Sequence, residues 1–439
     1  MPMKGEKMKI LFVACYSPLI NNSASIETLW YLNKLAELED NEIHLLTVNF
    51  PSNSIYYDAD VLSLLNKKVK VHAIDGGKIF NFVVPKKGNK ENRNNKVNEK
   101  KHGVKIIAIL KKIKAIVAIP DAYITWAFKA YRYANRLMES VKFDVIFSMH
   151  EPPSSHICAY LIKKQHKDIP WITYWSDPWM KDSTRENHNS LRRKLEGHLE
   201  RNIIKSSEKY VFVTEANRCD YINNYNLGRD KTYLINRGYD AAEYNKLLKE
   251  EAPMLISENK VNVVYAGEIF SKLRDLNPFI EALDLLRSKD IEAYNNLNIL
   301  FFGNIDDINI VNKLKEQSCV SVSPRIPYKE AVRYMLKSDV LLLLGNKNSK
   351  QIPAKIYDYF GTNSYVLVLL GDENDPIKPL VSHNSKCIVS ENNSEVIYEK
   401  LLESIYKAKN DKEGCKPLVE YEWGNVAKKL NKIFEEVED

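Results

Sequence analysis

Five stretches of this chain carry side chains able to do chemistry, and each follows an apolar run. In VNVVYAGEIFSKLRD, Gly267 ends the run and Lys272 and Arg274 come soon after. A glycine lets backbone approach a ligand closely, and two cations beside it suit a diphosphate, whose charge grows as it leaves. A lone Lys-x-Arg pair is also common on surface loops. In DVLLLLGNKNSKQIPAKIYDYFG, Pro353 opens a short helix expected over 353–361, Lys355 adds a cation, and Asp358 stands where it could accept two ribose hydroxyls. The plainer alternative makes Lys355 and Asp358 a solvated face, with Ile356 and Tyr359 packed inward.

The other three stretches lie in the first half. WITYWSDPWMKD places Asp177 after an apolar run, among Tyr174, Trp175 and Trp179. Asp177 then orients or deprotonates a hydroxyl while Trp179 and its neighbours pack on a sugar or lipid; or, with Pro178, it simply caps a helix. His150 and Glu151 in SMHEPPSS would sit beside it as acceptor-binding groups. The loop CYSPLINNSASIET, which holds Ser17, feeds a helix whose start either faces a donor anion or is capped by Ser23 or Ser25.

Such residues are worth weighing because ligands of open parallel sheets bind outside the carboxyl ends of the strands. The pattern here is that of a parallel-sheet α/β protein: short β-branched runs alternate with helical periods. Strands are expected at 9–14, 43–48, 69–74, 143–148, 171–175, 210–213 and 232–235. The rhythm restarts at 261–267, 297–303, 319–322, 339–345, 365–370 and 386–389. Two doubly wound sheets joined near 235–240 fit better than one. From Tyr421 to Val437 the apolar residues share one helical face, so a packed terminal helix is expected.

The chain has 439 residues, 44% apolar and 28% charged, a soluble globular balance spread over about two domains. Six scattered cysteines without a C-x-x-C pair argue against disulfides and zinc, and for a reducing, cytoplasmic setting. The N-terminal apolar run is too short for a signal peptide, and no window suits a transmembrane helix. The net charge of +7 is local: residues 86–114 hold eleven Lys or Arg against Glu91 and Glu99. Residues 85–103 read as a mobile basic loop and 104–120 as an amphipathic helix.

Taken in order, KILFVACYSP, WITYWSDPW, LINRGYDAAEY, VVYAGEIFSKLRD, DVLLLL and PAKIYDYFG resemble the GT-B glycosyltransferases of family 4, in the branch that assembles bacterial surface polysaccharide. The resemblance implies a GT-B fold of two Rossmann-like, doubly wound parallel-sheet domains facing a cleft. Residues 1–238 would bind the acceptor, 239–420 the nucleotide sugar, and 421–439 would pack back across both. Lys272 or Arg274 would hold the diphosphate, Asp358 the ribose, and the backbone around Pro353 and Lys355 the phosphates, while Asp177 would face acceptor and sugar. The implied reaction moves a hexose-type sugar from a nucleotide-diphosphate donor to an acceptor hydroxyl, with retention and without a cofactor or metal.

Three departures from the family pattern stand out. Lys350 occupies the position eight before Asp358 where an acid is usual; Asn22, Ser23 and Ala24 replace a glycine pair; and Asn236-Arg237-Gly238 replaces Asn-Gly. If the acceptor is lipid-linked, the lysines of 86–114 would draw the protein to an anionic inner-membrane surface while Ile106, Ile107, Leu110 and Ile113 enter the interface. Two other readings compete. A sugar-nucleotide 2-epimerase shares the fold, and the basic segment could bind nucleic acid, although no aromatics interleave its lysines, so no nucleic-acid partner is expected.

Overall fold

A computed structural model describes residues 7–38, 40–84, 119–181, 190–347 and 351–438. The basic segment 86–114, the loop read at 85–103, the helix read at 104–120 up to residue 118, and Lys350 lie outside the described residues. The chain forms two compact units, residues 1–235 with 427–439 and residues 236–426.

The first unit is built on seven parallel strands: β1 (Met8–Val13), β2 (Asn41–Asn49), β3 (Lys70–Asp75), β4 (Val145–His150), β5 (Trp171–Trp175), β6 (Lys209–Phe212) and β7 (Thr232–Leu234). Their order is β3-β2-β1-β4-β5-β6-β7. The second unit has six: β8 (Val261–Ala266), β9 (Leu297–Phe302), β10 (Val320–Ser323), β11 (Val340–Leu344), β12 (Tyr365–Leu369) and β13 (Cys387–Ser390), in the order β10-β9-β8-β11-β12-β13. Every ladder is parallel. In each sheet the order reverses once, between β1 and β4 and between β8 and β11, which makes both doubly wound.

Burial explains the apolar runs. β4, β5, β11 and β12 are buried along their whole length because helices cover both sheet faces, so nothing selects for alternation there. The edge strand β3 is mostly exposed and carries Lys70, His72 and Asp75. At the start of the first helix, Ser23–Glu37, Asn22 Oδ1 accepts from Ser25 N at 2.8 Å, so Asn22 is the cap rather than Ser23 or Ser25. The terminal helix spans Trp423–Glu438. Its Trp423 is buried in the second unit, whereas Phe434 meets Phe147 of β4 in the first, ring centroids 5.3 Å apart.

Candidate functional site

In the second unit the chemistry gathers at the switch point, where the loops leaving β8 and β11 run side by side. Lys347 N donates to Leu273 O at 2.8 Å and ties the two loops together. Arg274 is anchored there on three protein groups. Its Nε donates to Asn346 Oδ1 at 3.0 Å, and its Nη1 donates to Tyr265 Oη at 3.0 Å and Glu268 O at 2.7 Å. Nη2 donates to nothing among the described residues, which leaves one edge of the guanidinium open.

The helix expected over 353–361 runs from Lys355 to Phe360, a turn and a half, with Pro353 buried just ahead of it. It is held against the sheet by Ile356, Tyr359 and Phe360, all fully buried, and by Tyr359 Oη donating to Leu342 O at 3.3 Å. This packing turns Lys355 and Asp358 toward the switch point. Lys355 Nζ lies over the Tyr265 ring, 5.4 Å from its centroid, and so close above Gly267 that a Cβ there would overlap it. Gly267 has φ +153° and Gly303, at the end of β9, has φ +130°; a side chain on Gly303 would run into the Gly267 carbonyl. These two glycines are what let the ends of β8 and β9 and the Lys355 ammonium share one space.

Burial and the neighbouring Arg274 push the Lys355 ammonium down to about 8, against the attraction of Asp358 and Glu268. Asp358 accepts from Tyr244 Oη at 3.2 Å, and burial pushes its carboxyl up to about 6 although Tyr244, Lys355 and Arg237 favour the anion. Arg325, after β10, makes a long ion pair of 3.9 Å with Glu268. Three cations thus face one small region with Glu268 and Asp358 at its rim. A fixed group of this kind suits an anion carrying hydroxyls.

The structure therefore brings Gly267, Arg274, Lys355 and Asp358 together. Lys272 is not among them: it is exposed, and the hydroxyl and amide of its neighbour Ser271 bind Asp306. Glu268, Arg325, Asn346, Tyr244 and Tyr265 escaped the sequence reading. Arg325 and Asn346 follow apolar runs, the same signal that flagged Arg274, whereas Tyr244 sits in a helix with no local cue.

The residues singled out in the first unit behave differently. Ser17 is buried, and its Oγ accepts from Leu19 N at 3.2 Å, so the hydroxyl forms a turn. Trp179 is fully buried, with Nε1 donating to Glu196 Oε2 at 3.3 Å. His150 is 1% exposed and stacks on Trp175, with centroids 5.6 Å apart. The rings offered to an acceptor are thus core, because β5 is covered on both faces and its flanking aromatics complete that packing. Asp177 opens no helix in 176–181, and it and Glu151 remain half-exposed. The register pairs His150 with Trp175, which sets Glu151 and Ser176 beside each other at the carboxyl ends of β4 and β5. Among the described residues, no group of three or more His, Cys, Asp or Glu is arranged to hold a metal ion.

A family model, Glycosyltransferase Family 4, matches residues 88–243. No curated protein matches the chain. Among solved structures, it is similar to a glycosyltransferase from Rickettsia africae (13% identity, 99% of each chain, TM-score 0.60). It is also similar to a UDP-GlcNAc 2-epimerase from Neisseria meningitidis bound to UDP-GlcNAc (15%, 98% of this chain and 100% of that one, 0.56) and to Anabaena HepE in complex with UDP (10%, 98% and 100%, 0.60). At these identities the likeness is one of fold, the two-sheet GT-B architecture. The family match covers residues 88–243, less than half of the chain, and the structural likeness adds to it the two-sheet GT-B fold.

Proposed function

We propose that the protein transfers a hexose-type sugar, with retention, from a nucleoside-diphosphate donor to a hydroxyl of a lipid-linked saccharide in surface-polysaccharide synthesis. The observation that carries the donor half is the convergence of Arg274, Lys355 and Arg325 on Gly267, with Asp358 one helical turn from Lys355. The open edge of Arg274 and the Lys355 ammonium would hold the diphosphate and stabilise the charge it gains as the sugar departs. Asp358, oriented by Tyr244, would take the ribose hydroxyls. Lys272, exposed on the same loop, would add long-range attraction. In the first unit the half-exposed Asp177 and Glu151 would orient the acceptor hydroxyl. Two of the similar structures hold UDP or a UDP-sugar, which supports a nucleotide-sugar donor, and no metal is required in this scheme.

The basic segment 86–114, read from the sequence, would place the enzyme on the cytoplasmic face of an anionic membrane. No helix among the described residues is long and apolar enough to cross one. A thermal-shift screen with UDP, GDP, ADP and CMP sugars tests the donor reading, since a ligand of the native state raises its midpoint. If none does, the transferase reading fails. The likeness to the Neisseria epimerase keeps a second reading in play. Incubation of a nucleotide sugar without acceptor separates them: an epimerised sugar favours the epimerase, and unchanged substrate favours the transferase.

A further inference from the structure

Glu268 is anomalous in its setting. It follows Gly267 at the switch point, and its carbonyl is fixed by two donors, Tyr265 Oη at 3.0 Å and Arg274 Nη1 at 2.7 Å, so its backbone cannot turn away. Its side chain is 34% exposed and accepts no hydrogen bond among the described residues; its ion pair is the 3.9 Å contact with Arg325. An ionised carboxylate has about four acceptor sites and no donor. A diphosphate oxygen is likewise acceptor-only, so beside a diphosphate an open carboxylate is repelled unless something there donates to it.

We propose that Glu268 is a specificity-determining group that accepts hydrogen bonds from hydroxyls of the sugar carried on the diphosphate. The inference rests on the transferase reading above and adds to it. A hexose esterified to the distal phosphate brings several hydroxyl donors to that side of the cations. Glu268 gains by binding them, whereas the terminal phosphate of a bare nucleoside diphosphate, above about pH 7, offers it only oxygen acceptors. Glu268 thereby discriminates the loaded donor from the spent nucleotide and favours release of the latter after transfer.

The test is titration calorimetry on the full chain in EDTA, with UDP and UDP-glucose, GDP and GDP-mannose, and ADP and ADP-glucose, using whichever pair the protein binds. Glu268→Gln is expected to weaken the nucleotide sugar about tenfold, the loss of one hydrogen bond to a charged group, while the nucleoside diphosphate binds as before or more tightly. Glu268→Asp, which keeps the charge on a shorter arm, should fall between. The melting midpoint of each unliganded variant checks the fold. Equal losses for both ligands, or none, overturn the role of Glu268 and leave the transferase reading standing. A difference between protein and variant that appears only when MgCl2 replaces EDTA also overturns it, because the carboxylate would then hold a cation. Failure of the unaltered protein to bind any diphosphate overturns both.

Discussion

The two titrating groups of the proposed donor site should give nucleotide-sugar binding a bell-shaped pH dependence. Lys355, faced by Arg274, Arg325, Glu268 and Asp358, is held down to about 8; Asp358, faced by Tyr244, Lys355 and Arg237, is held up to about 6. Binding as proposed uses the ammonium and the carboxylate. As pH rises through about 8 the cation is lost, and as pH falls through about 6 the carboxylate is protonated. A nucleotide hexose suits the assay because its phosphates are esterified at both ends, whereas a terminal phosphate takes up a proton near pH 6. Affinity should be greatest between the two values and fall about tenfold per unit beyond either. Stability of the free protein runs the other way. Asp358, with its folded value raised, contributes stability below its unfolded value that is lost as pH rises through about 6. Lys355, with its value lowered, contributes stability above its unfolded value that is lost as pH falls through about 8. The free site is thus at its least favourable where it binds best, and the ligand-induced rise in melting midpoint should be largest between those limits. Calorimetry from pH 5 to 9 reads the profile. An affinity that varies less than about twofold across that range refutes it, as does an unchanged alkaline limb in Lys355→Arg, whose guanidinium keeps its proton.

Three further outcomes follow from the same geometry. Gly267→Ala should keep the fold, because its Cβ meets the flexible end of Lys355, yet weaken nucleotide-sugar binding at least about tenfold by displacing that ammonium, with about 1–3 kcal/mol lost to backbone strain; Gly303→Ala, which meets the Gly267 backbone, should instead lower the melting midpoint more sharply. Arg274→Lys cannot hold Asn346, Tyr265 and Glu268 O at once, so its kcat/KM should fall about tenfold to a hundredfold despite the retained charge, as steady-state kinetics would show. In the first unit Tyr221 Oη donates to the buried Glu200 carboxylate, so Tyr221→Phe should cost about 1–3 kcal/mol in urea unfolding without altering donor affinity.

The fold was legible because strands buried on both faces must be apolar throughout: the runs at 339–345 and 365–370 could hardly be anything else, and β11 and β12 occupy them. Gly267, Arg274, Lys355 and Asp358 were legible by their position after such runs. Sequence gave no way to rank Arg274 above Lys272, since both follow Gly267 at similar distance. The difference is made by Asn346, seventy-two residues away, which reaches Arg274 only because β8 and β11 are neighbours. His150 and Trp179 misled for a related reason. An aromatic after a strand reads alike whether it lines a ligand site or closes the core, and here Glu196, from a helix that local pattern does not connect to it, takes the Trp179 indole.

How the cations are used separates grip from scaffold. Arg274 gives Nε and Nη1 to the protein and has one edge left, so most of its donors fix the two loops and its remaining fork points in one direction. Lys355 is the reverse case: among the described residues its ammonium has no carboxylate within salt-bridge distance and rests on the Tyr265 face, a weak partner that costs little to leave. A charge held down by burial and short of partners has the most to gain when an anion arrives. The diphosphate would therefore be oriented by Arg274 and bound chiefly by Lys355. On the proposed function, that division places the affinity on the Pro353–Gly361 segment and the geometry on the loop after β8, which also carries Glu268.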